Sequence, residues 1–300
     1  MHICISGNLG SGKSTVSHIL QEKLGFEVYS TGTVQRKVAA QLGIGTLELN
    51  ELMAKDHHYD DLIDKATEAL AQERLDSPVI FDSRMAWHFV KDAFKVYMVV
   101  DPVIAAERVI NSSRGKVEAY GNTEEALYKL KERAYLENRR FQDLYGIDNF
   151  DYRNYNLIVD STCVSPEKAS QVICDEYMKF CTCPIHDTIL LLSPQSLFPL
   201  RSIQNVNQSE VERCAKKHSY LTECISVIPF ESYHYVSEGF VHVLAAVKNR
   251  VTYLRTKPQY SESASELASR FSKLSIFDLH KAERIANFTY LSYPEHYCLS

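Results

Sequence analysis

Short apolar runs rich in β-forming residues alternate with longer segments of helical spacing over the first part of the chain. Segments between the runs, such as residues 57–75, carry apolar side chains at the helical repeat. Strands that alternate with helices predict a mostly parallel sheet covered by helices on both faces. Ligands of such a sheet bind at the carboxyl ends of its strands. The five strand-like runs are HICIS, FEVYS, PVIFD, KVYMVVD and YNLIVD.

The pattern changes after the segment KFCTCPIHD. Further strand candidates follow, separated by two shorter helical stretches, and this predicts a second, smaller α+β unit. The strand candidates are TILLLS, CISVIPF, YHYVS and VTYLRTK. A serine-rich joint, SESASELAS, then leads to a final helical region. We therefore predict an α/β domain at residues 1–184 and an α+β domain with C-terminal helices at residues 185–300.

Composition and charge narrow the classes of protein. Apolar residues at 45% and charged residues at 24% are ordinary for a soluble globular protein. The formal net charge of −5 predicts no general binding of nucleic acid or of acidic membranes. No membrane span or signal peptide is recognisable, and the cysteines follow no disulfide spacing. These features predict a cytoplasmic protein.

The segment GNLGSGKSTV, between the first strand and the first helix, matches the pattern G-x-x-x-x-G-K-[ST]. Its glycines let backbone N–H groups point at phosphates, its lysine supplies a positive charge, and its serine ligates Mg²⁺. The alternative is a glycine-rich turn with a surface lysine. We predict a site for ATP and Mg²⁺. The nucleotide-binding residues are Gly7, Gly10, Ser11, Gly12, Lys13, Ser14 and Thr15.

The rest of the first domain indicates which class of phosphate-binding protein this is. No N-K-x-D guanine motif occurs, and the domain is short for a mechanical ATPase. Arginines follow several of the strand-like runs. A kinase with a phosphorylated acceptor needs such arginines because it must bring two polyanions together. This arrangement favours a small-molecule kinase.

Three segments carry a specific resemblance. The first 43 residues resemble the start of cytidylate kinases, in which a strand ending in Ser/Thr-x-Gly precedes an arginine; Thr31, Gly32 and Arg36 match. VIFDSRMAWHF is similar to that family's Asp-Gly-Arg-Asp segment and aligns Asp82 and Arg84. ERAYLENRR is similar to its Arg-x-x-x-acid-x-x-Arg reader of cytosine and phosphate. The resemblance extends to about residue 179.

The resemblance implies a P-loop nucleoside monophosphate kinase that phosphorylates CMP or dCMP with ATP and Mg²⁺. The implied catalytic residues are Lys13, Asp82, Arg133 and Arg140. The implied acceptor-binding residues are Thr31, Arg36, Arg84, Arg133, Glu137 and Arg140. Ser14 would bind Mg²⁺ directly and Asp82 would bind it through water.

Several of these residues also have a structural interpretation that involves no ligand. Arg133, Glu137 and Arg140 share one helix face by spacing, and a surface ion pair with a spare arginine has the same spacing. Trp87 either stacks on a base or fills the core. Arg108 and Arg114 either flank a lid or are solvated charges at a helix end.

The family pattern is not followed at every position. Ser83 and Met85 replace the family's glycine and second aspartate, the residue that contacts the acceptor sugar, and Glu137 stands where aspartate is common. Two other functions therefore remain open. One is a P-loop kinase for another small acceptor, and the other is a nucleotide-sensing regulator whose C-terminal domain is the output.

The second domain carries a different resemblance. SVIPFESYHYVSEGFVHVLAAVKNRVTYLRTK resembles the ParB/sulfiredoxin-like fold, in which a strand, a Gly-x-x-Arg helix start and another strand build a phosphate site. FPLRSI is similar to the opening segment of that fold. Gly239 matches the glycine, whereas His242 replaces the arginine. The alternative is an interaction or regulatory module with a degenerate site.

Overall fold

The computed structural model describes most of the chain. The described residues are 1–32, 39, 43–55, 58–111, 120–184, 187–199, 206–230 and 232–259. They form two compact units that meet in sequence between Thr188 and Ile189. None of the helices in these ranges combines the length and the apolar character that a membrane crossing requires.

The first unit is built on parallel strands. They are β1 (His2–Gly7), β2 (Glu27–Ser30), β3 (Val79–Asp82), β4 (Ala93–Val99) and β5 (Leu157–Asp160). Their order in the sheet is β2-β3-β1-β4-β5, and every pair of neighbours is parallel. β1, β3 and β5 are buried along their whole length, as expected of a sheet that is covered on both faces. The predicted α/β class is confirmed.

Helices connect these strands and continue the chain after β5. They are α1 (Lys13–Leu24), α2 (Thr46–Lys55), α3 (His58–Glu73), α4 (Ala86–Phe89), α5 (Pro102–Ile110), α6 (Thr123–Tyr145) and α7 (Pro166–Thr182). α6 carries much of the candidate site. It begins where the Asn122 side chain accepts a hydrogen bond from the Glu125 backbone, and it ends at Gly146, whose φ of 68° suits glycine.

The only tryptophan of the chain lies in the core of the first unit. Trp87 Nε1 donates a 2.8 Å hydrogen bond to Asn149 Oδ1, and its ring centroid lies 5.3 Å from that of Tyr155. Burial of the ring with its one donor satisfied is the usual state of a core tryptophan. Of the two interpretations of Trp87, core packing is therefore confirmed.

The second unit contains a mixed sheet. Its strands are β6 (Ile189–Leu192), β7 (Leu197–Pro199), β8 (Ile225–Phe230), β9 (Tyr233–Glu238) and β10 (Leu254–Pro258). The order is β6-β10-β8-β9-β7. The pairs β10–β8 and β7–β9 are parallel, whereas β6–β10 and β8–β9 are antiparallel. Its described helices are α8 (Gln208–Lys217) and α9 (Phe240–Lys248), and the predicted C-terminal helical region lies outside the described residues. Only β7, three residues long, lacks a counterpart among the strands predicted from the sequence.

The segment that resembles the ParB/sulfiredoxin-like fold, residues 226–257, runs from β8 through β9 and α9 into β10. Gly239 precedes the helix with a φ of 85°, and a Cβ atom there would lie 3.2 Å from the Cys224 carbonyl oxygen. The positive φ and this close contact favour glycine at the turn. The His242 ring contacts the segment between α8 and β8, because its Nδ1 lies 3.0 Å from Ser219 Oγ. The fold assignment of this unit remains a prediction.

Candidate active site

The loop between β1 and α1 is packed directly against neighbouring backbone. At Gly7, φ is +140° and a Cβ atom would lie 2.2 Å from the Met98 carbonyl oxygen. At Gly10, φ is +78° and a Cβ atom would lie 2.8 Å from that of Ala105. Gly12, with φ of 84°, caps the start of α1. Packing excludes side chains at Gly7 and Gly10, and the positive φ at Gly12 favours glycine, so the backbone can curl closely around a bound group.

The polar groups of this loop fit a phosphate. Lys13 Nζ donates to the carbonyl oxygens of Gly7 and Asn8, at 2.9 and 2.8 Å, so its charge lies over the loop. Ser11 is buried, and its hydroxyl has no hydrogen-bond partner among the described residues. An anion at the start of α1 would supply that partner and would meet the positive end of the helix. Thr15, also predicted to bind the nucleotide, is exposed.

The end of β3 meets the loop through a serine and an aspartate. Ser14 Oγ donates a 2.7 Å hydrogen bond to Asp82 Oδ2, and Ser30 Oγ reaches the same oxygen at 3.1 Å. The pairing of β1 with β3 aligns Ile5 with Asp82, which brings the carboxylate beside the loop. A hydroxyl oxygen and a carboxylate oxygen are ligands that Mg²⁺ accepts, so the pair fits the predicted metal site.

A second group of charges lies around Glu137 of α6. Its carboxylate forms an ion pair with Arg84, and its Oε1 accepts a 2.9 Å hydrogen bond from Arg133 Nε. Ser6 Oγ donates to the Arg84 carbonyl oxygen at 3.2 Å. This hydrogen bond joins the residues that follow β3 to the end of β1. Arg133 is 6% exposed and Glu137 is 3% exposed. The alternative of a solvated surface pair is therefore wrong.

Arg140, one turn farther along α6, has a partner that the sequence analysis did not identify. Its Nε lies 3.2 Å from Asp60 Oδ2 of α3. Asp60 is one of many acids in a helical segment, and no pattern in the sequence distinguishes it. The structure thus brings a guanidinium of α6 together with a carboxylate that is 80 residues away in sequence.

The structure also describes Thr31 and Arg108. Thr31 is buried directly after β2. Arg108 donates to the carbonyl oxygens of Ser161 and Thr162, at 2.6 and 3.1 Å, so it binds the segment after β5 and is not a solvated charge at a helix end. Arg36 and Arg114 lie outside the described residues.

Comparison with known proteins identifies relatives of the first unit. Residues 2–163 match the cytidylate kinase-like family. Cytidylate kinase of Natronomonas pharaonis is 33% identical over 175 residues, which cover 58% of this chain and 87% of that protein. Cytidylate kinase of Archaeoglobus fulgidus is 32% identical over 174 residues, which cover 58% of this chain and 92% of that protein.

A third relative is longer. The S-adenosylmethionine-dependent nucleotide dehydratase of Lacinutrix mariniflava is 30% identical over 181 residues, which cover 59% of this chain and 36% of that protein. The chain therefore spans only about a third of the length of this relative. The family match covers more than half of the chain and includes the glycine-rich loop, Asp82 and α6. The chain belongs to the cytidylate kinase-like family.

Proposed function

We propose that the first unit transfers the γ-phosphoryl group of ATP to a nucleoside monophosphate, with CMP or dCMP as the acceptor. The observation that carries this proposal is the end of β3. There Asp82 accepts a hydrogen bond from Ser14 of the loop, and Arg84, two residues later, forms an ion pair with Glu137. In this proposal the donor and acceptor halves of the site meet at one strand end, which is where a parallel sheet binds its ligands.

On the donor side, the backbone of the loop would bind the phosphates of ATP. Lys13 would exchange its two carbonyl partners for phosphate oxygens, because an ammonium gains more from an anion than from a neutral carbonyl. Ser14 and, through water, Asp82 would hold Mg²⁺, which neutralises charge on the transferring group.

On the acceptor side, the arginines would bind the monophosphate. Glu137 fixes the guanidinium groups of Arg84 and Arg133, so their directions are set before the acceptor arrives. Thr31 and Arg36 complete the proposed acceptor site. Such a site accelerates transfer by positioning and by charge stabilisation, and it needs no covalent intermediate.

The test is an ADP-release assay with ATP, Mg²⁺ and a panel of nucleoside monophosphates. We expect selective turnover with CMP or dCMP. Selective turnover with another acceptor would keep the kinase and correct its specificity. Binding of ATP without turnover of any acceptor would contradict the proposal and would favour a nucleotide-sensing regulator.

A further inference from the structure

Two serine hydroxyls from different elements donate to the same carboxylate oxygen at the end of β3. Ser14 Oγ, in the first turn of α1, lies 2.7 Å from Asp82 Oδ2, and Ser30 Oγ, at the end of β2, lies 3.1 Å from it. Asp82 is 6% exposed, whereas both serines are half-buried. A carboxylate enclosed to this degree requires hydrogen bonds, and Ser30 supplies one of the two that reach Oδ2.

The sheet itself places Ser30 beside Asp82. β2 and β3 pair in parallel, and their register aligns Ser30 with Asp82. Both strands end at these residues. Because aligned side chains of neighbouring strands stand on the same face of a sheet, strand pairing determines where the Ser30 hydroxyl meets the carboxylate.

The second oxygen of this carboxylate has no such partner. Among the residues that the structure describes, no hydrogen bond reaches Asp82 Oδ1. The terminal torsion of an aspartate has only a weak preference of its own, so hydrogen bonds decide how the carboxylate is turned. Two donors on Oδ2 oppose its rotation, and they leave Oδ1 as the oxygen that can accept from a ligand.

We propose that Ser30 is a positioning residue, which holds the Asp82 carboxylate so that Oδ1 faces the water shell of Mg²⁺. The proposal rests on the proposed function, because it assumes that Ser14 and Asp82 hold the metal of ATP. Ser14 serves two partners there, since its oxygen binds the metal with a lone pair and its proton stays available to Asp82. Ser30 is not a proposed ligand and acts on the metal only through Asp82. Residues that orient metal-binding groups in this way commonly change the affinity for the metal about 10- to 100-fold.

The experiment is calorimetry of the full chain with the β,γ-imido analogue of ATP, once with Mg²⁺ and once with EDTA. The ratio of the two dissociation constants is the factor by which Mg²⁺ tightens nucleotide binding. We expect Ser30→Ala to lower this factor about 10-fold, because the carboxylate loses one of the donors that orient it. The dissociation constant in EDTA stays within about twofold of wild type, since Lys13 and the backbone of the loop are unchanged.

Two further variants test the route through Asp82. In an Asp82→Ala background, Ser30→Ala should have no further effect on the Mg²⁺ factor, because the group on which it acts is gone. Ser77→Ala is the matched control, since Ser77 is an exposed serine just before β3. It should keep the factor within about twofold of wild type. An undiminished effect of Ser30→Ala in the Asp82→Ala background would overturn the inference.

Two other roles of Ser30 give different results. If Ser30 contacts the acceptor, Ser30→Ala raises the KM for CMP at saturating ATP and Mg²⁺ and leaves the Mg²⁺ factor unchanged. If Ser30 only supports the fold, nucleotide affinity falls equally with Mg²⁺ and with EDTA. Either result overturns the inference. The positioning role instead keeps the KM for CMP within about twofold.

The wild-type chain separates this inference from the proposed function. Tightening of analogue binding by Mg²⁺, without turnover of any monophosphate, overturns the proposed kinase activity, and the same calorimetry still decides the role of Ser30. If Mg²⁺ does not tighten binding to the wild-type chain, the metal assignment is wrong and the inference falls with it.

Discussion

At the scale of single residues, Lys13 carries the charge of the glycine-rich loop. We expect Lys13→Ala to lower kcat/KM on the order of 10²- to 10³-fold, the usual loss when one donor to the transition-state charge is removed. The measurement is ADP release with ATP, Mg²⁺ and CMP. Lys23→Ala is the matched control, because Lys23 is exposed at the other end of α1. Wild-type turnover in Lys13→Ala would exclude the loop as the donor site.

Gly7 combines a positive φ with direct contact to the neighbouring strand. We expect Gly7→Ala to lower the free energy of unfolding by about 3 kcal/mol or more, since the new methyl group must displace the backbone of Met98. Gly146→Ala is the control. Its φ is +68° and open space surrounds the new atom, so its cost is about 1–2 kcal/mol. Urea denaturation measures both variants. Equal losses of unfolding free energy in Gly7→Ala and Gly146→Ala would show that the contact with Met98 adds nothing to the cost.

The sequence specifies the loop residues but not their partners. The motif predicts the positions of Gly7, Lys13 and Ser14 because the path of such a loop requires glycine, and binding of phosphate and Mg²⁺ requires the ammonium and the hydroxyl. The partners of Lys13 are carbonyl oxygens, which every residue has, so no pattern reveals them. Asp60 is hidden for a related reason, since a buried carboxylate and a solvated one look alike in sequence.

At the scale of elements, α6 presents a buried charged face. We expect Glu137→Ala to destabilise the first unit by about 3–5 kcal/mol, because Arg84 and Arg133 then lose their buried carboxylate. Urea denaturation measures the loss. Glu124→Ala, an exposed acid in the first turn of α6, should change the free energy of unfolding by about 0.5 kcal/mol. Similar values for the two variants would mean that the arginines find other partners.

His2 connects the end of α3 to the start of β3. Its Nδ1 accepts a 3.1 Å hydrogen bond from the Val79 backbone, so Nε2 carries the proton and donates to the Ala71 carbonyl oxygen at 3.0 Å. Burial lowers the pKa of His2, and the Ala71 contact and the charge of Asp92 oppose this in part. The neutral ring is therefore the form that this connection uses.

The pH dependence follows from the lowered pKa. The unfolded chain binds the His2 proton more readily than the folded chain does. Stability from this contact is thus complete above the ordinary histidine pKa, about 6.5, and is lost as the pH falls below that value. We expect His2→Gln to reduce the fall in unfolding free energy between about pH 7.5 and about pH 5.5. His18→Gln, at an exposed site, should leave the fall unchanged; identical profiles for wild type and His2→Gln would contradict the role.

The predictability of the elements depends on their length and on which face is buried. Each of the five strands of the first unit contains or overlaps a run of β-forming apolar residues, which explains why all were predicted. β7 has three residues and pairs with β9. A run of apolar residues this short is not recognisable as a strand from the sequence. The spacing of Arg133 and Glu137 predicts a shared face, but spacing alone does not show whether that face is buried.

At the scale of the whole molecule, the first unit contains the five parallel strands β1–β5 and all described residues of the candidate site. We expect residues 1–188 to fold alone and to keep turnover with CMP within about threefold of the full chain, because a compact unit with its own buried core can fold by itself. Circular dichroism and the ADP-release assay make the comparison. A folded but inactive fragment would assign part of the site to the second unit.

The burial of Trp87 has a spectroscopic consequence. No other tryptophan exists in the chain, so indole emission reports on the first unit alone, while tyrosines report on both. Trp87 lies three residues after Arg84, and its Nε1 donates to Asn149, so we expect its emission to respond when the ion pair of Arg84 with Glu137 changes. Selective excitation of the indole during denaturation therefore follows the unfolding of one unit without a label. The same signal, titrated with CMP, offers a binding assay that does not depend on turnover.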